Sequence, residues 1–319
     1  MQPTSRLEHF PISFFAMIMG LTGLAIAWEK AQATLHLPLQ LHPALTWFAG
    51  TAFLVLFLLY MLKLIRYPNA VARELHHPVK LNFFPTLSIS LILLSVTTQH
   101  VAGGFSHILW ICGTAMHFGF TLYVMNVWIH HDKFEIHHMN PAWFIPVVGN
   151  VLIPIAGTGL GYQEISWFGF SIGMLFWLVL MTIIFNRVLF HNPLPDKLMP
   201  TFFILIAPPA VGFIAYFKLT GELDSFARIL YYSGLFLTLL LLTQTARFAK
   251  LQFFLSWWAY SFPLAAITTA TLLMLQITGD RSFLILGWGL LGLLTLVVTY
   301  LLYRTLKAVG MRKICQPED

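Results

Sequence analysis

The histidine pairs are the side chains of this sequence that are best suited to metal chemistry. Two pairs flank two acidic residues in one polar segment, and a third pair lies in another: His130-His131, His137-His138, Asp132, Glu135 and His76-His77. Imidazole together with carboxylate suits transition metals, so a membrane enzyme built on this segment is one hypothesis. The spacing differs from that of the histidine boxes of di-iron enzymes, and solvated histidines are the ordinary case in a polar loop. We therefore expect no metal, no cofactor and no enzymatic activity.

The other candidate ligands are isolated from one another. His117 is the only histidine deep inside an apolar stretch, whereas a buried haem would need paired axial ligands. Cys112 lies in an apolar stretch and Cys315 in a polar tail. Two cysteines so placed give neither a disulfide framework nor a zinc site.

The composition is that of an integral membrane protein. Of 319 residues, 58% are hydrophobic and 9% are Asp, Glu, Lys or Arg, whereas soluble domains carry about 25% charged residues. Stretches near the ~20 residues that cross a bilayer occur ten times, at 10-28, 44-62, 82-99, 108-129, 142-160, 165-186, 201-217, 229-246, 252-276 and 282-303. None of the ten contains a charged residue, and the loops between them are short. We expect a single ten-span transmembrane domain over 1-319.

The basic residues indicate the orientation of the spans. With a cytoplasmic N-terminus, fourteen Lys and Arg residues fall inside, and four fall outside, namely Lys30, Lys218, Arg228 and Arg281. This bias predicts an even number of spans and two cytoplasmic termini. It also explains the net charge of +6 without nucleic-acid binding. A signal peptide is an alternative for the first stretch, since Arg6 precedes an apolar run that reaches Ala25-Ile26-Ala27, but the run is longer than a typical signal core.

Prolines divide the ten stretches into two classes. All seven prolines inside the stretches lie in odd-numbered ones: Pro11, Pro85, Pro146, Pro154, Pro208, Pro209 and Pro263. One proline per odd stretch, taken as Pro11, Pro85, Pro146, Pro208 and Pro263, recurs at a mean spacing of 63 residues, close to one fifth of the chain. This repeat predicts an all-α membrane protein of five parallel helical hairpins.

The position of the prolines also indicates which helices are inside. Helix-breaking residues are tolerated in a membrane where the helix is buried in protein or borders a water-filled cavity. The odd helices should therefore be inner helices, kinked at these prolines, around a central pore with quasi-fivefold symmetry. Pro11 and Pro85 could instead occupy first helical turns, whereas Pro208 and Pro263 lie too deep in their stretches for that.

Small and hydroxyl residues on the odd helices have two interpretations. They include Ser13, Gly20, Thr22, Gly23, Thr86, Ser88, Ser90, Ser95, Gly149, Asn150, Thr268 and Thr269. Such residues could line a pore, but close helix packing in lipid requires the same residue types. For any single residue, packing is the favoured interpretation.

The dipeptide Phe262-Pro263 is the candidate gate. Phe-Pro occurs in three odd stretches, and only this one lies near the bilayer midplane. Pro263 removes a backbone donor there, so a bulky ring lies beside a bend in the narrowest part of the expected passage. An apolar ring at such a place would exclude hydrated ions by size and by dewetting. One phenylalanine among 29 can equally serve packing, and this alternative stays open.

Ten spans in five hairpins, proline-bearing odd helices and Phe262-Pro263 in the ninth span together resemble one known family. It contains the bacterial tellurite-resistance protein TehA and the plant slow anion channels of guard cells. The resemblance covers the whole chain, although its motifs are diffuse. It implies a homotrimer in the bacterial inner (plasma) membrane, in which each protomer conducts small inorganic anions through a pore that Phe262 occludes. The long kinase-targeted tails of the plant members have no counterpart here.

Two functions remain to be compared. In an anion channel, an inside surface with fourteen basic and seven acidic residues would concentrate anions at the inner mouth. The alternative is a proton-coupled secondary transporter that exports tellurite or a dicarboxylate. Such transporters generally hold protonatable groups near the midplane, where this sequence offers only His117. We therefore expect a channel, with lipids and small anions as its partners.

Overall fold

The structure is a computed structural model that describes residues 5–130 and 134–316. Every regular element in those residues is a helix. The α-helices are α1 (Phe15–Leu35), α2 (His42–Arg66), α3 (Pro68–His76), α4 (Pro85–Thr98), α5 (Gly103–His130), α6 (Phe144–Val148), α7 (Ile153–Gly157), α8 (Gln163–Phe190), α9 (Ala207–Thr220), α10 (Ser225–Leu242), α11 (Thr245–Phe248), α12 (Ser261–Thr278) and α13 (Arg281–Gly310). Seven 3-10 segments lie between them: Ile12–Phe14, Lys80–Phe83, Ile136–His138, Pro141–Trp143, Gly149–Leu152, Met199–Ile206 and Leu255–Tyr260.

Nine segments of the described chain are long and apolar enough to cross a membrane. They are Ile12–Leu35, His42–Arg66, Lys80–Thr98, Gly103–His130, Gln163–Phe190, Met199–Thr220, Ser225–Leu242, Leu255–Thr278 and Arg281–Gly310. The fifth predicted stretch, 142-160, corresponds to a shorter apolar segment, Pro141–Gly157, in which α6 and α7 are separated by a 3-10 segment. The count of ten full spans therefore stays a prediction.

Burial separates the spans in the way that the prolines predict. The four spans that correspond to the first, third, seventh and ninth predicted stretches are 67%, 89%, 72% and 72% buried in chain order, whereas the five that correspond to even-numbered stretches are 22% to 39% buried. These even-numbered helices expose large apolar side chains, such as Leu58, Leu122 and Leu240, which suit contact with lipid. The odd-numbered spans are thus the inner elements, as expected.

The inner elements pack side by side in a closed ring. In this ring α1 contacts α12 and α4, the α6–α7 segment contacts α4 and α9, and α9 contacts α12. Each inner element also packs against the outer helix that follows it, as in the pairs α1–α2, α4–α5, α7–α8, α9–α10 and α12–α13. The first stretch is accordingly an inner helix of the bundle. Five hairpins around one axis agree with the repeat, while the quasi-fivefold symmetry stays a prediction.

Prolines mark the points where the inner spans change from 3-10 to α-helix. Pro85 is the first residue of α4, Pro208 the second of α9, and Pro146 and Pro263 are the third of α6 and α12. The first amides of an α-helix have no intrahelical acceptor, so proline costs no hydrogen bond there. The expectation that Pro208 and Pro263 lie too deep for a first turn is therefore wrong, because the α-helix itself begins several residues into each span.

Two inner helices end in the same kind of turn. Gly221 after α9 and Gly279 after α12 adopt φ of 75° and 67°, a region that glycine enters without a Cβ penalty. The next helix then begins at an aspartate, with Asp224 accepting from the Ala227 amide and Asp280 from the Ser282 amide. These backbone hydrogen bonds lower the pKa of both carboxyl groups. The turns therefore reverse the chain tightly between an inner helix and its outer partner.

Candidate functional site

A cavity of about 920 Å³ opens between the first halves of the inner elements. All five proline-bearing spans contribute to its wall: Pro11, Ser13, Ala16 and Met19; Phe83 and Ile89; Ile145, Val148, Gly149 and Leu152; Thr201, Ile204, Pro208 and Val211; and Ala259, Phe262 and Pro263. Among the described residues, the outer helices contribute Lys63 alone. The ring thus encloses space along its axis at one end. We call the end at which the inner spans begin the mouth.

The deep part of the cavity is apolar. The wall residues furthest along each inner span are Met19, Ile89, Leu152, Val211 and Pro263. Phe262 lies beside the last of these and is half-buried. Further along the same helices, side chains such as Leu24, Ile92 and Ile267 are buried in the core. The open space therefore ends at the level of Phe262.

Close contact between α1 and α12 holds the ring of Phe262 in place. A Cβ atom on Gly23 would lie 3.4 Å from Phe262 Cδ2 and 2.8 Å from Ala265 Cβ, and one on Gly20 would lie 2.1 Å from Ser261 Oγ. Because no side chain larger than hydrogen fits at Gly20, the two helices approach closely just where the cavity narrows. The aromatic ring is thus backed by helix packing.

Most of the hydroxyl residues that could have lined a pore serve the helices instead. Thr22 donates to the Ile18 carbonyl at 2.7 Å, Ser90 to the Thr86 carbonyl at 2.7 Å, and Thr268 to the Leu264 carbonyl at 2.6 Å. Of the twelve small and hydroxyl residues singled out in the sequence, Ser13 and Gly149 line the cavity. The packing interpretation is therefore supported for Thr22, Ser90 and Thr268, whereas Ser13 and Gly149 face the cavity.

The mouth of the cavity is charged, and basic residues are in excess. Five basic and two acidic side chains line it: Lys63, Arg73, Lys80, Lys197, Lys313, Glu8 and Glu74. Both carboxylates are paired with basic groups, Glu8 with Arg73 at 3.1 Å and Glu74 with Lys63 at 2.8 Å. Among the described residues, basic side chains at the mouth thus outnumber acidic ones, an arrangement that favours anions.

The pair of Lys63 and Glu74 is the centre of a buried network. Lys63 Nζ also donates to the Phe10 carbonyl at 2.8 Å, while Glu74 accepts from the Ile12 amide at 2.9 Å and from the Tyr60 hydroxyl at 3.1 Å. Both side chains are nearly inaccessible to solvent. The network fixes α3 and the end of α2 to the start of the first inner span, beside Pro11. This network could not be predicted from the sequence, because Lys63 directly follows an uncharged stretch and Glu74 lies in a loop-like region.

The segment after α13 folds back over the mouth. Lys313, Ile314, Cys315 and Gln316 line the cavity, and Arg6 donates to the Ile314 carbonyl at 3.3 Å. Burial raises the pKa of the Cys315 thiol. This polar tail is a part of the site that sequence reasoning missed.

The histidine loop is occupied with local hydrogen bonds. His138 Nδ1 accepts from the Glu135 amide at 3.1 Å, His137 Nδ1 lies 3.1 Å from a Glu135 carboxylate oxygen, and His130 Nδ1 bonds the Asn126 carbonyl. Burial and the neighbouring His137 lower the pKa of His138. Within residues 5–130 and 134–316, no three His, Cys, Asp or Glu side chains gather as they would around a metal. His131 and Asp132, which belong to the metal hypothesis, lie outside the described residues.

His117 is fully buried at the contact between α5 and the broken inner segment. Its Nδ1 lies 2.9 Å from Ser88 Oγ, and a Cβ on Gly149 would lie 2.7 Å from its Nε2. His117 itself is not among the residues that line the cavity. It lies behind the wall, on an outer helix, as the sequence indicated.

A closed ring of proline-bearing helices around an axial cavity, with an apolar floor and a basic mouth, defines a polytopic membrane protein of the channel or carrier class. The family model described as SLAC1, voltage-dependent anion channel, matches residues 9–306. The chain belongs to this family.

The chain resembles plant, archaeal and bacterial proteins, some of which are longer than it is. It is 32% identical to the S-type anion channel SLAH3 of Arabidopsis thaliana over 98% of its own length, and it spans half of that protein. The uncharacterized transporter MJ0762 of Methanocaldococcus jannaschii is 28% identical, with 96% of each chain covered. The tellurite resistance protein TehA homolog of Haemophilus influenzae is 25% identical over 82% of this chain and 80% of its own. The resemblance to TehA and the plant channels is thereby confirmed.

Proposed function

We propose that the protein is an anion channel whose pore runs along the axis of the inner ring and is occluded by Phe262. The observation that carries the proposal is the cavity. All five inner spans line it, its deep wall is apolar and ends beside Phe262, and basic residues exceed acidic ones at its mouth. An anion drawn to the mouth would meet a hydrophobic constriction at the ring.

The apolar wall favours conduction over tight binding. The deep wall residues Met19, Ile89, Leu152 and Val211 offer an anion neither a charge nor a hydrogen-bond donor. A conducting pore needs sites weak enough for ions to leave as readily as they enter. An aromatic ring across such a pore stops ions by excluding water, so the ring itself sets the closed state.

Family membership supports the remaining features. The relatives include an S-type anion channel and a tellurite resistance protein homolog, so small inorganic anions are the proposed substrates and tellurite resistance the proposed association. The positive-inside bias supports a cytoplasmic mouth and two cytoplasmic termini, and the bacterial inner (plasma) membrane is the proposed location. A single ten-span domain, a homotrimer with one pore per protomer, and the absence of enzymatic activity complete the proposal.

A proton-coupled transporter is the second candidate. Coupling would require a protonatable group where the substrate passes. Among the described residues, the deep wall carries no titratable side chain, and His117 lies behind it. The geometry therefore favours a channel over an exporter of tellurite or a dicarboxylate.

Reversal potentials distinguish the two functions. The purified protein is placed in planar bilayers under a chloride or nitrate gradient, and a pH gradient is then imposed. A channel gives a reversal potential that follows the anion gradient and ignores the pH gradient. A reversal potential that moves with the pH gradient would support the transporter.

The gate is tested by truncating Phe262. Removal of the ring in Phe262→Ala should raise anion conductance at least about tenfold, since it opens the dewetted constriction. Phe236→Ala is the matched control, because Phe236 is 64% exposed on the outer helix α10 and should not affect the current. An unchanged current in a well-folded Phe262→Ala protein would refute the gate.

A further inference from the structure

A second group of charged residues lies at the opposite end of the inner ring, where the inner helices finish. We call Glu29, Lys30, His42, His100 and Lys218 the distal cluster. Glu29 and Lys30 belong to the last part of α1, Lys218 to the last turn of α9, and His100 follows α4 directly. None of the five lines the cavity at the mouth. At 1.5 Å per residue, Gln276 near the end of α12 lies about 21 Å beyond Phe262.

Contacts within the distal cluster join four inner elements. Glu29 Oε2 lies 3.4 Å from Nε2 of the buried His42, and Glu29 Oε1 lies 3.7 Å from Nε2 of the exposed His100. Lys30 Nζ donates to the side-chain carbonyl of Gln276 on α12. Lys218 is close enough to Lys30 and Glu29 to interact with both electrostatically. Charged groups from α1 and α9 and a histidine after α4 thus converge beside α12.

The formal charges of the distal cluster are unequal. The hydrogen-bond partner of Lys30 is an amide, and Lys218 is exposed. The carboxylate of Glu29, in contrast, lies beside two histidines. Two lysines thus lie beside one carboxylate that has other partners of its own.

An anion that leaves the ring at this end requires positive charge from basic residues. The inner helices run parallel, so all their C-terminal ends point to this side, and each end carries roughly half a negative charge. Without compensation these ends would repel an anion and favour a cation. Lys30, in the second turn from the end of α1, and Lys218, in the last turn of α9, are the residues that can offset this field.

We propose that the distal cluster is a second anion-selecting site, at which Lys30 and Lys218 attract the departing anion and Glu29 limits their net charge. The proposal rests on the anion-channel function put forward above. The groups that face Glu29 are His42, His100, Lys30 and Lys218. Removal of the Glu29 charge should therefore increase anion current.

Charge-removing variants test the selectivity. Planar-bilayer currents are recorded in a Phe262→Ala background, which makes them large, with a chloride salt gradient. Lys30→Gln/Lys218→Gln should reduce chloride conductance several-fold and shift the reversal potential toward that of the cation. Arg281→Gln is the matched control, because it removes an exposed cation at the start of the outer helix α13, at the same end of the molecule. A double variant that conducts like Arg281→Gln would overturn the proposal.

The carboxylate of Glu29 is tested separately. Glu29→Gln, in the same Phe262→Ala background, should raise chloride conductance, because it removes the negative charge beside the two lysines. An unchanged conductance in Glu29→Gln would overturn the role given to this charge. Absence of any anion current, even in Phe262→Ala, would refute the channel function itself.

Discussion

The two halves of each inner span differ in backbone, in packing and in charge. The halves near the mouth begin as 3-10 helix, in four of the five spans change to α-helix near a proline, and enclose the 920 Å³ cavity. Apart from the broken fifth span, the distal halves are regular α-helix, closely packed, and a cluster of charged residues lies near their ends. Outer helices such as α5, α8 and α13 are single uninterrupted α-helices of 28 to 30 residues, without such a division.

The difference explains why the inner ring is open at one end and closely packed at the other. Proline and 3-10 turns leave backbone groups without regular partners, and these are tolerated beside a water-filled space. Beyond Phe262 the helices contain small residues that allow close contact, such as Gly20 and Gly23. Beyond the last proline of each inner span, the helices can approach one another, and the cavity ends.

The mouth half should depend most strongly on its buried ion pair. Glu74→Leu leaves the ammonium group of Lys63 buried without its partner, which costs about 3–5 kcal/mol. The same loss is expected for Lys63→Met. Thermal unfolding of the detergent-solubilised protein should show a large decrease in stability for either variant.

Two controls sharpen this prediction. Lys63→Met/Glu74→Leu removes both charges, so it should recover most of the lost stability, because paired replacement of a buried ion pair is often nearly neutral. The exposed pair of Arg73 and Glu8 should contribute at most about 1 kcal/mol, measured with Arg73→Gln. Equal losses for Glu74→Leu and Arg73→Gln would show that the buried network has no special role.

The contact between α1 and α12 should lose stability when one methyl group is added. Gly20→Ala places a Cβ 2.1 Å from Ser261 Oγ, and such overpacking typically costs about 1–3 kcal/mol. Gly50→Ala is the matched control, since nothing lies within 4 Å of a Cβ at that position on α2. The comparison is made by thermal unfolding, and a Gly20→Ala protein as stable as Gly50→Ala would argue against tight packing of α1 on α12.

Sequence patterns predicted more of the fold than of the candidate site. Proline placement and charge-free stretches predicted which spans are inner, because both reflect the local requirements of a helix in lipid. They did not reveal that the fifth inner span is short and broken, nor that the α-helix restarts at Pro208 and Pro263. These features depend on where 3-10 turns replace α turns, and the tertiary contacts decide that.

Polar contacts between distant segments could not be predicted from the sequence. Lys63 and Glu74 are separated by a turn and a short helix, and the cluster of Glu29, His42, His100 and Lys218 draws on four segments. Each residue alone has the appearance of an ordinary interfacial charge. Phe262 was singled out because of its neighbour Pro263 and its position in the span, and it does line the cavity, whereas its role as a gate stays a prediction. Residues whose role arises only from assembly have no such local signature.

Accessibility on the two sides of Phe262 tests the central claim most directly. In a Cys112→Ser/Cys315→Ser background, Ser13→Cys places a thiol in the cavity, and Thr269→Cys places one two turns beyond Phe262 on the same face of α12. A charged thiol reagent added from the mouth side should modify Ser13→Cys readily and Thr269→Cys only after Phe262→Ala is introduced. Rapid modification of Thr269→Cys with Phe262 intact would contradict an aromatic seal at this level.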